Sequence, residues 1–289
     1  MDTALIERIL RTDFSAKSVE KLRTLILQLA ASGKITSKSP SNTNVDKLIR
    51  EITQNRKTEG NPDHQKKCLN PFEIPSHWRW VKFGDIVSFS IGKTPSRSNS
   101  SYWSPGVFNW VSIADMKNYG EINDTKEKIS KTASVEVFHG NFAKAGSILM
   151  SFKLTIGKVS RCKADCFHNE AIISFQTQDQ RLTDFLFRFL PIFSRLQVSK
   201  SAIMGNTLNK GTLLSLPIAL PPLDEQKLIV AKVDELMALC DRLEAQLKER
   251  DIKQAALAKA ALAKFTEDPT PENLQLLFNP SFSIATEDL

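Results

Sequence analysis

Four cysteines in 289 residues, at positions 68, 162, 166 and 240, are too few and too scattered to form a disulfide framework. Cys240 falls on an apolar helical stripe and reads as a small core residue. Cys162, Cys166 and His168 lie close together, yet a structural zinc site needs a fourth ligand at suitable spacing and none is evident, so no metal is expected. No run of about 18 apolar residues occurs, which excludes a membrane-spanning helix, and no signal-peptide pattern appears. A soluble, cytoplasmic protein is expected.

Catalytic motifs are missing as well. Gly92-Lys93-Thr94 ends like a phosphate-binding loop, but Val87 stands where its first glycine belongs and no convincing helix follows. Asn70-Pro71-Phe72 and Asn279-Pro280-Ser281-Phe282 resemble the Asn-Pro-Pro-aromatic motif of amino-methyltransferases, each without the second proline and without a preceding glycine-rich cofactor loop. Asp115, Glu121 and Asp124, with Lys117 and Lys126 between them, could suggest a metal-dependent nuclease; ordinary polar loops produce the same set. His64, His77, His139 and His168 are scattered, with no nucleophile paired to them. The expectation is a non-catalytic chain without cofactors.

What is present suffices for a real core, with 41% of residues hydrophobic. Net charge is +7, unevenly spread. Residues 1–70 hold 13 lysines and arginines against 8 acids, residues 71–222 hold 18 against 11, and residues 223–289 hold 8 against 13. The basic middle suits a polyanionic partner and the acidic end suits a protein.

The chain is organised around residues 216–250. Pro221 and Pro222 keep the strip from Leu216 to Pro222 extended. A helix from about 224 to 264 follows, with Asp224 as N-cap and Glu225 and Gln226 in the first turn, where acids and acceptors suit the free N–H groups. Ile229, Val233, Leu236, Cys240, Leu243 and Leu247 recur at alternating steps of four and three, the seam of a helix built to pack on another helix. The seam weakens at Arg250 and Gln254 and resumes at Leu257 and Ala261. At 1.5 Å per residue such a helix is about 60 Å long, wider than a small domain.

Upstream, Met1 to Leu10 is a short amphipathic start. Val19, Leu22, Ile26 and Leu29 mark a helix capped by Ser15 or Ser18 and stopped at Gly33. Residues 37–71 are linker-like, with room for a helix over Val45 to Ile52. From there to 222, short aromatic and β-branched runs (WRWVKFGDIVSFS, FNWVSIADM, SILMSF, TIGKVSR, AIISFQ) predict strands, with helices at Leu182 to Leu190 and Ser194 to Ser199. The tail, 266–289, has one short helix in PTPENLQLLF. The fold class is α/β (α+β): one globular mixed domain over 72–222 with long, coiled-coil-like helices on both sides, at 1–36 and 223–265.

The strip LPIALPPLDEQKLIVAKVDEL, the preceding GNTLNKGTLLSL, and the ordered landmarks IPSHWRWVKFGDIV, IGKTPSR, FNWVSIADM, SILMSFKLTIGKVS and NEAIISF resemble specificity subunits of Type I restriction-modification enzymes over about 74–250. KLRTLILQLAASGKIT is similar to a segment that closes a conserved helical region in that family. The resemblance implies a DNA-reading subunit, itself non-catalytic, that directs methyltransferase and restriction subunits to a bipartite site. The module 72–222 becomes its target-recognition domain and the helix 223–265 its dimerisation and methyltransferase-binding element. Family members generally carry two recognition domains, whereas no second IPxxW opening or PPLxEQ strip occurs here. A half-subunit is therefore expected, paired with a second copy or a different half, unless the chain is a truncated product. Alternatives are a scaffold or regulator that does not read DNA, and an unrecognised nuclease.

A reader of double-stranded DNA needs cations and backbone donors for phosphates, and bidentate or amide side chains for base edges. Three loops supply them: Lys93, Thr94, Arg97, Ser98, Asn99 and Tyr102 in the first, Lys153, Thr155 and Lys158 in the second, Asn206 and Lys210 in the third. Arg97 and Asn99 are the candidate base readers; Lys93, Lys153, Lys158 and Lys210 are the candidate phosphate holders.

Overall fold

In the computed structural model, which describes residues 16–36, 44–55, 70–200 and 208–278, the chain divides into two units, Leu27–Val233 and a second made of the segments on either side of it. The elements are α1 (Ala16–Ala31), α2 (Val45–Asn55), β1 (Arg79–Lys82), α3 (Phe83–Ile86), β2 (Phe89–Ile91), β3 (Phe108–Val111), β4 (Gly120–Ile122), β5 (Glu127–Ile129), α4 (Lys131–Glu136), β6 (Ile148–Ser151), β7 (Val159–Cys162), β8 (Phe167–His168), β9 (Ile172–Phe175), α5 (Gln180–Lys200), α6 (Lys210–Leu214), β10 (Pro217–Leu220), α7 (Leu223–Glu267) and α8 (Pro271–Phe278). The fold is mixed α/β with long helices. The short start expected at Met1 to Leu10 lies outside the described residues.

Three sheets build the unit Leu27–Val233: a five-stranded one in the order β2-β9-β6-β7-β4, a three-stranded one, β5-β3-β8, and the pair β1-β10. Among the described strand pairs, β4 with β7 and β3 with β8 run parallel and the others antiparallel. Every residue of β6 and β9 is buried, so their apolar runs fill both faces of the large sheet rather than alternating. Leu182, Phe185, Leu186, Phe189, Leu190 and Phe193 form one buried face of α5, at helical spacing.

Two departures from the sequence expectation have local causes. α5 is one helix through Pro191, where a break was expected. Proline removes one backbone donor, but Phe189 and Leu190 before it and Phe193 after it are all fully buried, and the Ser194 hydroxyl donates to the Pro191 carbonyl at 2.9 Å. The run WRWVKFGDIVSFS is likewise not one strand: a turn of helix at Phe83–Ile86 interrupts it. That turn lets Phe83, Ile86 and Val87 all point inward, with Phe83 stacked on Phe89 and edge-on to Phe175. The strands β4, β5 and β8 have too few apolar residues to stand out in the sequence.

The extended strip before α7 forms β10 as expected, and α7 begins at Leu223. Glu225 is buried in its first turn, where one carboxylate oxygen accepts from Trp78 Nε1 at 3.0 Å and meets His77 Nε2 at 2.8 Å. Asp224 takes Arg181 at 2.9 Å, and the Gln226 amide donates back to the Pro221 carbonyl at 2.8 Å. With 45 residues α7 is about 67 Å long. α2 is clamped to β1, Arg79 placing two nitrogens 2.9 Å from the two carboxylate oxygens of Asp46.

In the second unit, Arg23 of α1 donates to Asp241 at 2.6 Å and to Glu244 at 2.8 Å on α7. Val19 and Ile26 of α1 and Leu236, Cys240 and Leu247 of α7 are buried. Beyond them residues 248–260 of α7 are exposed on every side, including Ile252 and Leu257. Thr270 caps α8, its hydroxyl accepting from Asn273 N–H at 3.3 Å, with Pro271 at the first helical position.

Candidate nucleic-acid interface

The first loop leaves β2 and crosses the β8–β9 connection at once. Gly92 N–H donates to the Ile172 carbonyl at 3.2 Å and Lys93 N–H to the His168 carbonyl at 2.9 Å. A Cβ on Gly92 would overlap the carbonyl oxygens of His168 and Asn169, so only glycine permits the approach. His168 lies underneath, 4% exposed, and burial pushes its imidazole down to about 4. Lys93 is an anchor: its carbonyl accepts from Trp110 Nε1 at 3.0 Å and its ammonium donates to the Val137 carbonyl at 2.8 Å. Thr94 hydrogen-bonds the Glu170 carboxylate, which this hydroxyl holds below the usual range.

The second loop is the β6–β7 turn. Phe152 N–H donates to the Ala171 carbonyl at 2.9 Å, and the Phe152 carbonyl accepts from Leu208 N–H at 3.0 Å. Ala171 adjoins Glu170, the partner of Thr94, and Leu208 opens the described part of the third loop. The first and second loops thus meet on the β8–β9 connection and the third is bonded to the second, although all are far apart in sequence. Thr94 and Lys153 both act on Glu170 of that connection, Lys153 close enough to help hold that carboxyl down, while Thr155 and Lys210 are exposed three residues after Phe152 and two after Leu208. Lys210 is the exposed first residue of α6, whose N-cap Asn209 accepts from Thr212 N–H at 2.8 Å. Asn206 lies outside the described residues.

Leu154 forms the tip of the second loop. Its backbone is left-handed, at φ 63°, and its side chain is 82% exposed. A non-glycine residue in that region costs about 1–3 kcal/mol and persists only where its surroundings enforce it. Here Thr155 N–H donates to the Lys153 carbonyl at 2.8 Å, Gly157 N–H to the Ser151 carbonyl at 2.9 Å, and the Ser151 hydroxyl bonds the Thr155 carbonyl. Lys158 is spent internally, its ammonium 3.1 Å from the Ile113 carbonyl.

Arg97, Ser98, Asn99 and Tyr102 belong to a second cluster beside β5 and α4. Arg97 grips Glu127 with two nitrogens, at 2.5 and 2.9 Å, and lies over the Trp103 ring, 3.9 Å from its centroid. The bond raises the guanidinium further above its ordinary value and depresses the Glu127 carboxyl. Asn99 caps the turn Ser100–Tyr102, its oxygen accepting from Ser101 N–H at 3.1 Å, and the Ser98 hydroxyl is 2.8 Å from that of Ser96. Tyr102 donates to Glu136 at 3.0 Å, which raises the phenol. Glu127, Glu136 and Glu170 were not singled out in the sequence because each lies tens of residues from its partner.

The carboxylates of a possible nuclease are each engaged elsewhere. Glu121 pairs with Lys163 at 2.8 Å and Asp124 with Lys128 at 3.1 Å. Burial pushes the Asp115 carboxyl up, but the donors on Ser112 and Lys126 outweigh it and hold the group below its ordinary value. Cys162 and Cys166 are buried with their sulfurs 3.0 Å apart. Among the described residues no group of three or more histidine, cysteine or acidic side chains could hold a metal, and no helix is long and apolar enough to cross a membrane.

A family model for the Type I restriction modification DNA specificity domain matches residues 75–250, a span that takes in all three loops and the first half of α7. The chain belongs to this family. Within the specificity-domain family it is similar to the EcoEI specificity subunit of a Type I restriction enzyme from Escherichia coli, 25% identical over 274 residues, covering 84% of this chain and 44% of that protein. It is similar also to the EcoAI subunit of Escherichia coli, 24% identical over 268 residues, covering 84% and 44%. The crystal structure of an HsdS subunit from Thermoanaerobacter tengcongensis is 19% identical, with a TM-score of 0.46, covering 81% of this chain and 52% of that one. The chain spans about half the length of the curated relatives it matches.

The buried His168 has a direct consequence for stability. It stays neutral down to about pH 4 in the folded chain, while in the unfolded chain it takes a proton near pH 6.5. Its contribution is therefore present above pH 6.5 and declines as the pH falls toward 4. Urea unfolding between pH 7 and about pH 5 should show a loss of about 2 kcal/mol that is absent in His168→Gln, whatever that variant's starting stability.

Proposed function

We propose that this chain is the DNA-reading, non-catalytic specificity component of a Type I restriction-modification system, acting in the cytoplasm. Its recognition domain, residues 72–222, reads one half of a bipartite double-stranded site. Residues 1–36 and the helix from 223 to 265 meet a methyltransferase subunit and a second half-reader. The stretch 37–71 connects them, and a restriction subunit joins through the methyltransferase. The observation that carries this reading is the family match over residues 75–250, supported by the meeting of three polar loops at Phe152, Ala171 and Leu208.

In this reading Thr94, Lys153, Thr155 and Lys210 face the backbone of the duplex. Arg97 reads a base after exchanging Glu127 for it, a swap of one bidentate partner for another. Lys93, Lys158, Ser98, Asn99 and Tyr102 hold the loops in shape. Mapping methylated adenine in the host genome with and without the gene should show loss of one split motif; an unchanged map would overturn the assignment. In a binding titration against salt, Lys153→Ala should weaken binding evenly across sequences and lower the slope of log affinity against log salt by about one.

The second half is a second copy or a different half-subunit. The seam Ile229, Val233, Leu236, Cys240 and Leu247 is buried, and Leu243 is half-buried, within this chain. The surface for a second chain is instead the exposed continuation of that seam at Leu257, which is 44% accessible. Light scattering should give a dimer mass for the wild type and a monomer mass for Leu257→Glu. A wild-type monomer, alone and with the methyltransferase, would rule out the homodimer.

A further inference from the structure

We propose that Leu154 is an apolar wedge that enters between stacked base pairs of the bound duplex. The proposal rests on the DNA-reading assignment above and adds to it a residue whose chemistry is neither phosphate binding nor base-edge hydrogen bonding.

Isolated exposed leucines are ordinary; the backbone of this one is not. Three non-glycine residues have positive φ among the described residues: Tyr119, His139 and Leu154. Tyr119 uses that conformation to bury its ring against Phe187 and to donate to the Arg188 carbonyl at 3.2 Å. Histidine tolerates the left-handed region comparatively well. Leu154 gains nothing comparable within the chain, since its side chain is 82% exposed. The framework that enforces its position is rigid on both sides. Phe152 is 2% exposed and hydrogen-bonded to Ala171 and Leu208, and Gly157, at φ 78°, packs against Pro191 and Ser194 of α5.

The surroundings select the partner. Leu154 is flanked by Lys153 and Thr155, with Thr94, Glu170 and Lys210 on the adjoining segments, so among the described residues named there it is the apolar projection in a polar setting that carries two lysines against one carboxylate. That arrangement fits a duplex, whose phosphates take the cations while a leucine unstacks one base step. A protein pocket would want a contiguous apolar surface around it.

The test uses the full chain and a duplex selected by the wild type from random-sequence DNA, with 2-aminopurine substituted at each adenine in turn. Wild type should raise the fluorescence at one step on binding. Leu154→Asn keeps a residue that suits the left-handed backbone, so it should melt no lower than wild type, yet lose the fluorescence rise and bind roughly ten-fold more weakly. Leu154→Met should retain the signal. An unchanged fluorescence rise in Leu154→Asn, or weaker binding by that variant when wild type itself unstacks no base, overturns the wedge and leaves the DNA-reading assignment intact. Loss of methyltransferase binding with unaltered DNA binding would make Leu154 a protein contact instead. A wild-type chain that selects no duplex overturns both.

Discussion

Two backbone hydrogen bonds at Phe152, one donated to Ala171 and one accepted from Leu208, are the constraint on which the candidate interface depends. They tie the β6–β7 turn to the β8–β9 connection on one side and to the segment entering α6 on the other. The first loop then docks on the same connection through Gly92, Lys93 and Thr94. Because these bonds lie in buried backbone beside two fully buried strands, breaking one leaves an unsatisfied polar group at a cost of about 1–3 kcal/mol. The polar side chains above can therefore vary without loosening the platform, which under the proposed reading is what recognition of different sequences requires.

The cations of this surface divide by what already occupies them. Lys93 and Lys158 have their ammonium groups on carbonyl oxygens of their own unit, and Arg97 has both terminal nitrogens on Glu127. Under the proposed reading this pre-pairing has a use. Glu127 holds the guanidinium over Trp103, 3.9 Å from the ring centroid, and a guanine edge would replace the carboxylate as its bidentate partner. The exposed pair itself adds little stability, of the order of 1 kcal/mol or less, so the exchange costs little.

α7 serves two requirements along its length. Its first turns satisfy buried groups of the mixed unit, with Glu225 taking the Trp78 indole, and its middle packs with α1 through Arg23. The continuation beyond Leu247 buries almost nothing, yet it carries Ile252, Leu257 and Leu262. A solvent-exposed helix of that length has modest stability on propensity alone, and the alanine-rich composition supports it there.

By itself the sequence determined the mixed α/β class, the extended strip at β10, the long helix after it, the helix stop at Gly33 and four of the larger strands, because each is written in local periodicity or in proline and glycine chemistry. It also located the three polar loops. Tertiary structure decided what periodicity cannot express: that α5 continues through Pro191, since burial of Phe189, Leu190 and Phe193 outweighs one lost donor, and that Phe83–Ile86 turns helical to bury Phe83. It alone decided which loops meet, which cations are already paired, and that Leu154 is a strained, exposed tip. The partners Glu127, Glu136 and Glu170 lie tens of residues from the groups they bind, and pairings of that range are set by packing rather than by any local pattern.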